Sequence, residues 1–387
     1  MNKLDGMLMI GSAGANVGKT QLACALISKF SKDRDIVGIK VTTITAKDAQ
    51  CPRGGWGCGV CSSLEGDFCI TEETGSNSGK DTARLLAAGA SRVFWLRVMK
   101  AHLKEGTVAL LDIIGPDAVL VCESNSLRQV IEPGLFLMVK GRLLKVWKSS
   151  AEKVKEYADR VVTSNNDCFD FDIDRVKLTN GKWTMLEEAT AIILAGGGSG
   201  RMGVDKAMLQ INNKLMVEII YEQLSGSFSQ ILISANESEK LAFLSLEIIP
   251  DKIPGQGPLM GIASALEASA NELNFVVACD IPYIDLRCVR KILAEAKDVD
   301  IVIPKHKSKS KGLKTREGND GHYEPLFAIY RKSVLEPIND VLSSGRRKIS
   351  DVFSRCKVRY IELPLQEWFA NLNTMDEYEE FRKKYNA

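Results

Sequence analysis

Residues 194 to 206, Leu194-Ala195-Gly196-Gly197-Gly198-Ser199-Gly200-Arg201-Met202-Gly203-Val204-Asp205-Lys206, join a glycine-rich run to two cations. Without a Cβ at Gly196, Gly197 and Gly198, backbone N–H groups can approach phosphate oxygens closely. Arg201 and Lys206 add positive charge at the same place, which suits a polyphosphate. An ordinary surface lysine is the other reading of Lys206. The apolar run Ala191 to Leu194 before the loop reads as a buried strand, and Met216 to Leu224 after it as a helix. Asp280 follows a second apolar run, Phe275-Val276-Val277-Ala278. A carboxylate there can hold Mg²⁺ between the phosphates of a nucleotide. A helix N-cap is the other common use of such an aspartate.

A second phosphate-type loop lies near the start of the chain. Ala13-Gly14-Ala15-Asn16-Val17-Gly18-Lys19-Thr20 is a P-loop with Ala in place of the first Gly. Its amides would wrap phosphates, Lys19 would reach the β and γ oxygens, and Thr20 would hold Mg²⁺. A strand before it and a helix after it supply the context. Glu123 ends the apolar run Val119-Leu120-Val121-Cys122. It could bind Mg²⁺ through water or orient an attacking water; a solvated strand-end acid is the alternative.

Cys51, Cys58, Cys61 and Cys69 follow one another with glycines at 54, 55, 57 and 59 between them. Tetrahedral Zn²⁺ or an iron–sulfur cluster would suit four such thiolates. A redox dithiol and plain unliganded thiols are the alternatives. Cys24, Cys122 and Cys279 lie in apolar context and read as core.

These motifs need a frame. The chain has 387 residues, 45% hydrophobic and 26% charged, with a net charge of +2. That composition is globular, long enough for two domains, and carries no field that argues for nucleic acid or a membrane surface. No apolar run approaches a bilayer span, and the N-terminus lacks the features of a signal peptide, so a cytoplasmic location is expected. Strands are expected at Met7–Ile10, Ile36–Val41, Ala118–Cys122, Leu135–Val139 and Arg160–Thr163, then at Ile231–Ser234, Glu247–Ile249, Phe275–Ala278, Asp300–Ile303 and Leu326–Tyr330. Helical patterns separate several of them, as at Gln21–Phe30, Asp81–Ala88, Leu259–Ser269 and Leu286–Ala296. Alternation of this kind predicts parallel sheets with helices on both faces, and ligands at the carboxyl ends of strands. A β-hairpin is expected over Arg175 to Trp183, turning at Asn180-Gly181. The predicted architecture is two three-layer α/β domains, residues 1–187 and 188–387.

The pattern L-A-G-G-x-S-x-R-M-G-x-D-K resembles the signature of the molybdenum-cofactor guanylyltransferases, the MobA family. Ser234-Ala235-Asn236, Asp251, Gly257-Pro258-Leu259-Met260-Gly261, Cys279-Asp280-Ile281-Pro282-Tyr283 and Asn371-Leu372-Asn373-Thr374 follow in the family's order. Ser234 replaces the first Asn of the family's Asn-Ala-Asn. The N-terminal part resembles the MobB family of P-loop adaptors through the loop at 13–20, Lys40, Gly79-Lys80-Asp81-Thr82 and Ala88-Gly89-Ala90. The histidines that often follow the family's lysine are Val41, Thr42 and Thr43 here.

The resemblance implies a P-loop NTPase-like domain followed by a Rossmann-like nucleotidyltransferase domain. It implies transfer of GMP from GTP to molybdopterin carrying molybdenum or tungsten, releasing pyrophosphate. Leu194, Ala195, the glycines, Ser234, Asn236 and Asp251 would contact the nucleotide, Arg201 and Lys206 would offset charge on the leaving group, and Asp280 would hold Mg²⁺. A molybdenum insertion protein and apo-molybdoenzymes or their chaperones are the implied partners. The basic stretch Lys305 to Arg316 reads as a solvated loop or an acceptor-side patch, and Gly345-Arg346-Arg347-Lys348 as an anion contact. The alternatives are a molybdopterin cytidylyltransferase, whose loop usually reads L-A-A-G, and a GTP-regulated cofactor carrier or insertion factor.

Overall fold

The chain divides into two units, Met1–Met185 and Leu186–Ala387. The structure, a computed structural model, describes residues 1–45, 64–165, 168–196, 206–306, 322–363, 372 and 374–385.

The first unit runs β1 (Asn2–Ser12), α1 (Lys19–Phe30), β2 (Ile36–Ile44), β3 (Phe68–Glu72), α2 (Asp81–Ala87), β4 (Arg92–Met99), α3 (Leu103–Ile114), β5 (Val119–Glu123), β6 (Ile131–Gly141), α4 (Ser149–Glu152), β7 (Arg160–Asn165), β8 (Cys168–Phe169), β9 (Val176–Thr179) and β10 (Lys182–Met185). Its main sheet has the order β3-β4-β2-β5-β1-β6-β7-β8. The strands from β4 to β7 in that order are parallel, while β3 and β8 close the two edges antiparallel. Successive residues of β1 serve opposite faces, as the two-residue period of a strand requires. Leu8 and Ile10 pack with Leu22, Leu26 and Ile27 of α1 and Leu85 of α2. Met7 and Met9 pack with Leu103 and Leu110 of α3. Asn180 and Gly181 both take positive φ (51° and 74°), which gives the hairpin β9–β10 its tight turn. Trp183 of that hairpin is buried edge-on against Phe30 and donates through Nε1 to the Gly6 carbonyl at 3.1 Å.

The second unit runs β11 (Glu187–Leu194), β12 (Gln210–Ile211), β13 (Lys214–Leu215), α5 (Met216–Leu224), β14 (Phe228–Ser234), α6 (Ser238–Leu241), β15 (Glu247–Ile249), α7 (Pro258–Ala268), β16 (Leu273–Ala278), α8 (Leu286–Ala294), β17 (Ile301–His306), β18 (His322–Tyr323), β19 (Phe327–Arg331), α9 (Leu335–Ser343), α10 (Ser350–Phe353), β20 (Val358–Glu362) and α11 (Met375–Tyr385). The main sheet has the order β15-β14-β11-β16-β19-β17-β18, with β20 paired to β17. β15, β14, β11 and β16 are parallel; β19 runs antiparallel to both β16 and β17. The expectation of parallel sheets holds for the strands from β4 to β7 and from β15 to β16 in these orders, and is corrected at β3, β8, β18 and β19, which pair antiparallel. The reason is geometric: strand direction follows from how the chain returns to the sheet, and β19 enters it between β16 and β17 running opposite to both. Ile193, Val277, Val217, Ile220, Val289 and Ile292 form the core under α5 and α8. Ile192, Val276, Leu259, Ile262, Ile338 and Val341 form the core under α7 and α9.

Each sheet thus lies between helical layers, and each has a β-strand leading through a glycine-containing segment toward a helix. Among the described residues, no helix is long and apolar enough to cross a membrane.

Candidate functional site

In the first unit, β1 ends at Ser12 and α1 begins at Lys19. Gly18 bends the chain into the helix with φ 89°, a conformation that strains any residue with a Cβ. The segment is held from both sides. Ala13 N–H donates to the Val139 carbonyl at 2.8 Å, and Lys148 N–H donates to the Ala13 carbonyl at 2.8 Å. The Asn125 side chain bridges the end of β1, accepting from Ser12 N–H at 2.8 Å and donating to the Ser12 carbonyl at 3.0 Å.

The result is a cleft of about 1370 Å³ at the carboxyl edge of the sheet. Gly14, Gly18, Lys19 and Thr20 line it, as do Lys40, Asp81, Arg84, Arg142, Lys148 and Asn165. Cations outnumber carboxylates along this wall, which suits a polyphosphate. The first backbone N–H groups of α1 have no intrahelical partner and add to that potential.

Glu123 is the register partner of both Ile10 and Lys40, so it stands beside the loop. Its side chain is fully buried, and neither carboxylate oxygen has a hydrogen-bond partner. Lys19 Nζ lies 3.4 Å from Oε2. The solvated-acid reading of Glu123 is thereby corrected: β5 is flanked by β1 and β2, and no water-facing edge remains. Next to it, Lys40 forms a close ion pair with Asp81, the first residue of α2. Burial pushes the Asp81 carboxyl up, but the hydrogen bond and charge of Lys40, with Lys19 and Arg84 behind it, hold it below the usual carboxylate range.

Of the four clustered cysteines, Cys51, Cys58 and Cys61 lie outside the described residues. Cys69 sits half-buried on β3, where its Sγ accepts from Arg97 Nη2 at 3.2 Å. Among the described residues, no three His, Cys, Asp or Glu side chains gather as a metal set.

In the second unit, Gly197, Gly198 and Arg201 lie outside the described residues, as does the Lys206 side chain; the Lys206 backbone opens a short 3₁₀ turn, Lys206–Met208. What the structure brings together is the ground on which that loop stands. Leu194 ends β11, and its carbonyl accepts from Cys279 N–H at 3.1 Å; Ala195 N–H donates to the Ser234 carbonyl at 2.9 Å. Gly196 follows against β14: a Cβ there would lie 3.4 Å from Ala235 Cα. Asn236 and Asp251, just past the ends of β14 and β15, bond to each other twice. Gly257 takes φ 79° to start α7, and Pro258 fills its first helical position. Gly261, one turn on, faces the same group. A Cβ on it would lie 2.6 Å from Ser234 Oγ and 3.3 Å from Asp251 Oδ1.

Asp280 follows β16 at half-burial, and its carbonyl accepts from Leu372 N–H at 2.9 Å. The N-cap of α8 is Asp285, which accepts from Arg287 N–H at 2.9 Å, so the cap reading of Asp280 is excluded. Near the C-terminus, Thr374 and Glu377 cap α11 reciprocally at 2.9 Å and 3.2 Å; Asn371 and Asn373 lie outside the described residues. Arg347 donates to the Gly255 carbonyl at 3.1 Å, which brings the basic segment 346–348 to the start of α7. Lys305 pairs with Glu362 at 3.7 Å, and residues 307–316 of its stretch lie outside the described residues.

Several residues at these sites carry no sequence signal that finds them. Lys148 donates to Ser12 Oγ at 3.0 Å across 136 positions of chain. Asn125, Arg142 and Ser264, which accepts from Lys252 N–H at 3.1 Å, are also placed by tertiary structure alone.

Comparison with known proteins bears on the second unit. Residues 191–359 match the MobA-like NTP transferase domain. A probable molybdenum cofactor guanylyltransferase of Carboxydothermus hydrogenoformans is 33% identical over 208 residues, covering 52% of this chain and 98% of that protein. One from Peptoclostridium acidaminophilum is 34% identical over 206 residues, covering 50% and 87%. The crystal structure of molybdopterin-guanine dinucleotide biosynthesis protein A from Archaeoglobus fulgidus aligns with a TM-score of 0.43 at 24% identity, covering 51% of this chain and 98% of that one. Through its C-terminal half, the chain belongs to the MobA-like NTP transferase family of the molybdenum cofactor guanylyltransferases and is a nucleotidyltransferase.

Proposed function

We propose that the chain transfers GMP from GTP to molybdopterin carrying molybdenum or tungsten, forming the guanine dinucleotide cofactor and pyrophosphate. The observation that carries this reading is the convergence of Gly196, Ser234, the Asn236–Asp251 pair and Gly261 at one sheet edge, in a chain of this family. Gly261 and Gly196 let α7 and the end of β11 pack closely against the end of β14, because a Cβ on either would press on Ser234 or Ala235, and this sets Ser234 and the Asn236–Asp251 pair side by side. The Asn236–Asp251 pair fixes a carboxylate where it can accept from the N–H groups of a guanine or from ribose hydroxyls.

In the proposed reaction a terminal phosphate oxygen of molybdopterin forms a bond to the α-phosphorus of GTP. The bond from that phosphorus to the bridging oxygen breaks in line, and pyrophosphate leaves with the electron pair. No covalent enzyme intermediate is needed. The protein supplies position and charge neutralisation. The Gly196–Gly198 backbone cradles the triphosphate, and Arg201 and Lys206 offset charge that grows on the leaving group. A magnesium ion held with a nucleotide takes one or two carboxylates and completes its shell with phosphates and water. Asp280 fits that requirement without a larger ligand set. When bound, Mg²⁺ would draw charge from the phosphates.

The first unit, in the same reading, is a P-loop domain that binds GTP through Gly14, Gly18 and Lys19, with Thr20 and Glu123 toward Mg²⁺. The Glu123 carboxylate is buried and, among the described residues, accepts no hydrogen bond and is balanced by Lys19 alone, which supports a ligand on that side of the cleft. Tethered to the transferase, it would act as an adaptor that raises local encounter with substrate or an acceptor protein. The test is nucleotide-selective release of pyrophosphate by the full chain, compared between GTP and CTP.

A further inference from the structure

Gln223 lies in the last turn of α5 and is half-buried. Its side-chain amide makes three hydrogen bonds. Nε2 donates to the Pro282 carbonyl at 2.9 Å and to the Ile219 carbonyl at 3.0 Å; Oε1 accepts from Ile284 N–H at 2.8 Å. One residue on a helix thereby grips, at two points, the connection between β16 and α8, the segment that carries Asp280.

That connection needs such a grip. Pro282 offers no N–H, so a regular ladder cannot continue through it. The segment is fastened at its start by Cys279 N–H on the Leu194 carbonyl (3.1 Å) and at Asp280 by Leu372 N–H on its carbonyl (2.9 Å). It ends at Asp285, the cap of α8. Gln223 supplies the fastening between these. Its helix is also the one against which the turn bearing Lys206 packs: buried Ala207 shares a core with Val217 and Ile220 of α5, and with Ile281 and Ile284 of the Asp280 segment. The segments that carry Lys206 and Asp280 are therefore both referenced to one helix.

We infer that Gln223 is a positioning residue: its amide sets Asp280 relative to the Lys206 turn, so that the carboxylate meets the magnesium–nucleotide complex without rearrangement. The inference rests on the reading of Asp280 given above. Gln223 itself touches no substrate in this account. Its effect is on where Asp280 stands.

The test uses the 387-residue chain and the variants Q223L, Q223E and D280N. Leu matches Gln in size and helix propensity but removes all three bonds. Glu keeps the acceptor for Ile284 N–H and sets an oxygen against the Pro282 carbonyl. Two quantities are measured: amide hydrogen exchange across 279–285, and the Mg²⁺ dependence of pyrophosphate release. Q223L is expected to exchange at Ile284 about tenfold faster. It is also expected to need five- to tenfold more Mg²⁺ for half-maximal release, with excess Mg²⁺ restoring most of the rate. Q223E falls between Q223L and the unmodified chain, and gives the same comparison should Q223L not fold. A lower thermal midpoint or lower rate with unchanged Mg²⁺ dependence would make Gln223 purely structural and overturn the inference. If D280N itself releases pyrophosphate normally, the reading of Asp280 fails first, and this inference falls with it.

Discussion

Asn236 and Asp251 hold each other by a reciprocal pair of hydrogen bonds. Asn236 Nδ2 donates to Asp251 Oδ2 at 2.9 Å, and Asp251 N–H donates to Asn236 Oδ1 at 2.8 Å. The two residues lie two positions past the ends of adjacent parallel strands, and the side chain of one acts as a ladder partner for the backbone of the other. This holds the Asp251 carboxylate close against α7, where a Cβ on Gly261 would come within 3.3 Å of Oδ1. Replacing Asn236 by Ala removes both bonds and frees the carboxylate to rotate. The expected outcome is a KM for GTP raised by roughly tenfold, about 1.4 kcal/mol, with a smaller change in kcat. Steady-state kinetics with varied GTP check it. An unchanged KM would separate the pair from the nucleotide.

Gly261 gives a second, sharper case. A methyl group there would sit 2.6 Å from Ser234 Oγ. G261A alone should therefore destabilise the second unit by about 1–3 kcal/mol, as overpacking does, and weaken GTP binding. S234A removes the atom that is struck. The double variant G261A/S234A should recover most of the stability in denaturant unfolding, a coupling that distant sites would not show. Additive losses would place the two side chains apart.

Much of the scaffold is legible in the sequence. Val289, Ile292, Val217 and Ile220 fall on helical faces that the apolar spacing shows, and the run Met216 to Leu224 is helical over its whole length. The Asn180-Gly181 turn is legible because positive φ at both positions is tolerated by that pair. Strand β4 is not legible. Arg92 and Arg97 interrupt its apolar pattern, and only the folded sheet shows Arg92 paired with Glu72 and Arg97 stacked on Trp95. The reversal of β19 is hidden for another reason: strand direction depends on the path of the connection, not on the strand's residues. The same holds at the sites. Glycine loops announce themselves, whereas Lys148, Asn125 and Gln223 are brought in by tertiary structure from far along the chain.

Lys19 and Glu123 form a mixed pair, one member fully buried and the other 24% exposed. Removing only the cation leaves a buried carboxylate without compensation. K19M should destabilise the first unit by about 3 kcal/mol, the low end for breaking a buried pair because Lys19 keeps some solvent contact. K19M/E123Q should restore the thermal midpoint while GTP binding by this unit stays lost. Thermal unfolding with and without GTP distinguishes the two effects. Restored binding in the double variant would remove Lys19 from the phosphate-binding role.

The Asp81–Lys40 pair predicts an acid limit. Its carboxyl is held below the usual range despite burial, because Lys40, Lys19 and Arg84 surround it. A depressed carboxyl pKa stabilises the fold fully above the unfolded value, about pH 4, and the benefit is lost as pH falls through the folded value. D81N should abolish that part of the acid sensitivity and leave stability at neutral pH lower than in the unmodified chain. Unfolding midpoints of both proteins between pH 7 and pH 3 check it, and parallel curves would contradict it.

Guanylyl transfer is tested most directly by pyrophosphate release from the 387-residue chain. The protein is supplied with Mg²⁺ and metal-loaded molybdopterin, and with either GTP or CTP. Release with GTP, little with CTP, and none in the D280N variant is the predicted result. Equal or preferential release with CTP would contradict the guanine assignment. No release with either nucleotide, from protein that binds molybdopterin, would contradict transfer itself and leave a carrier in its place.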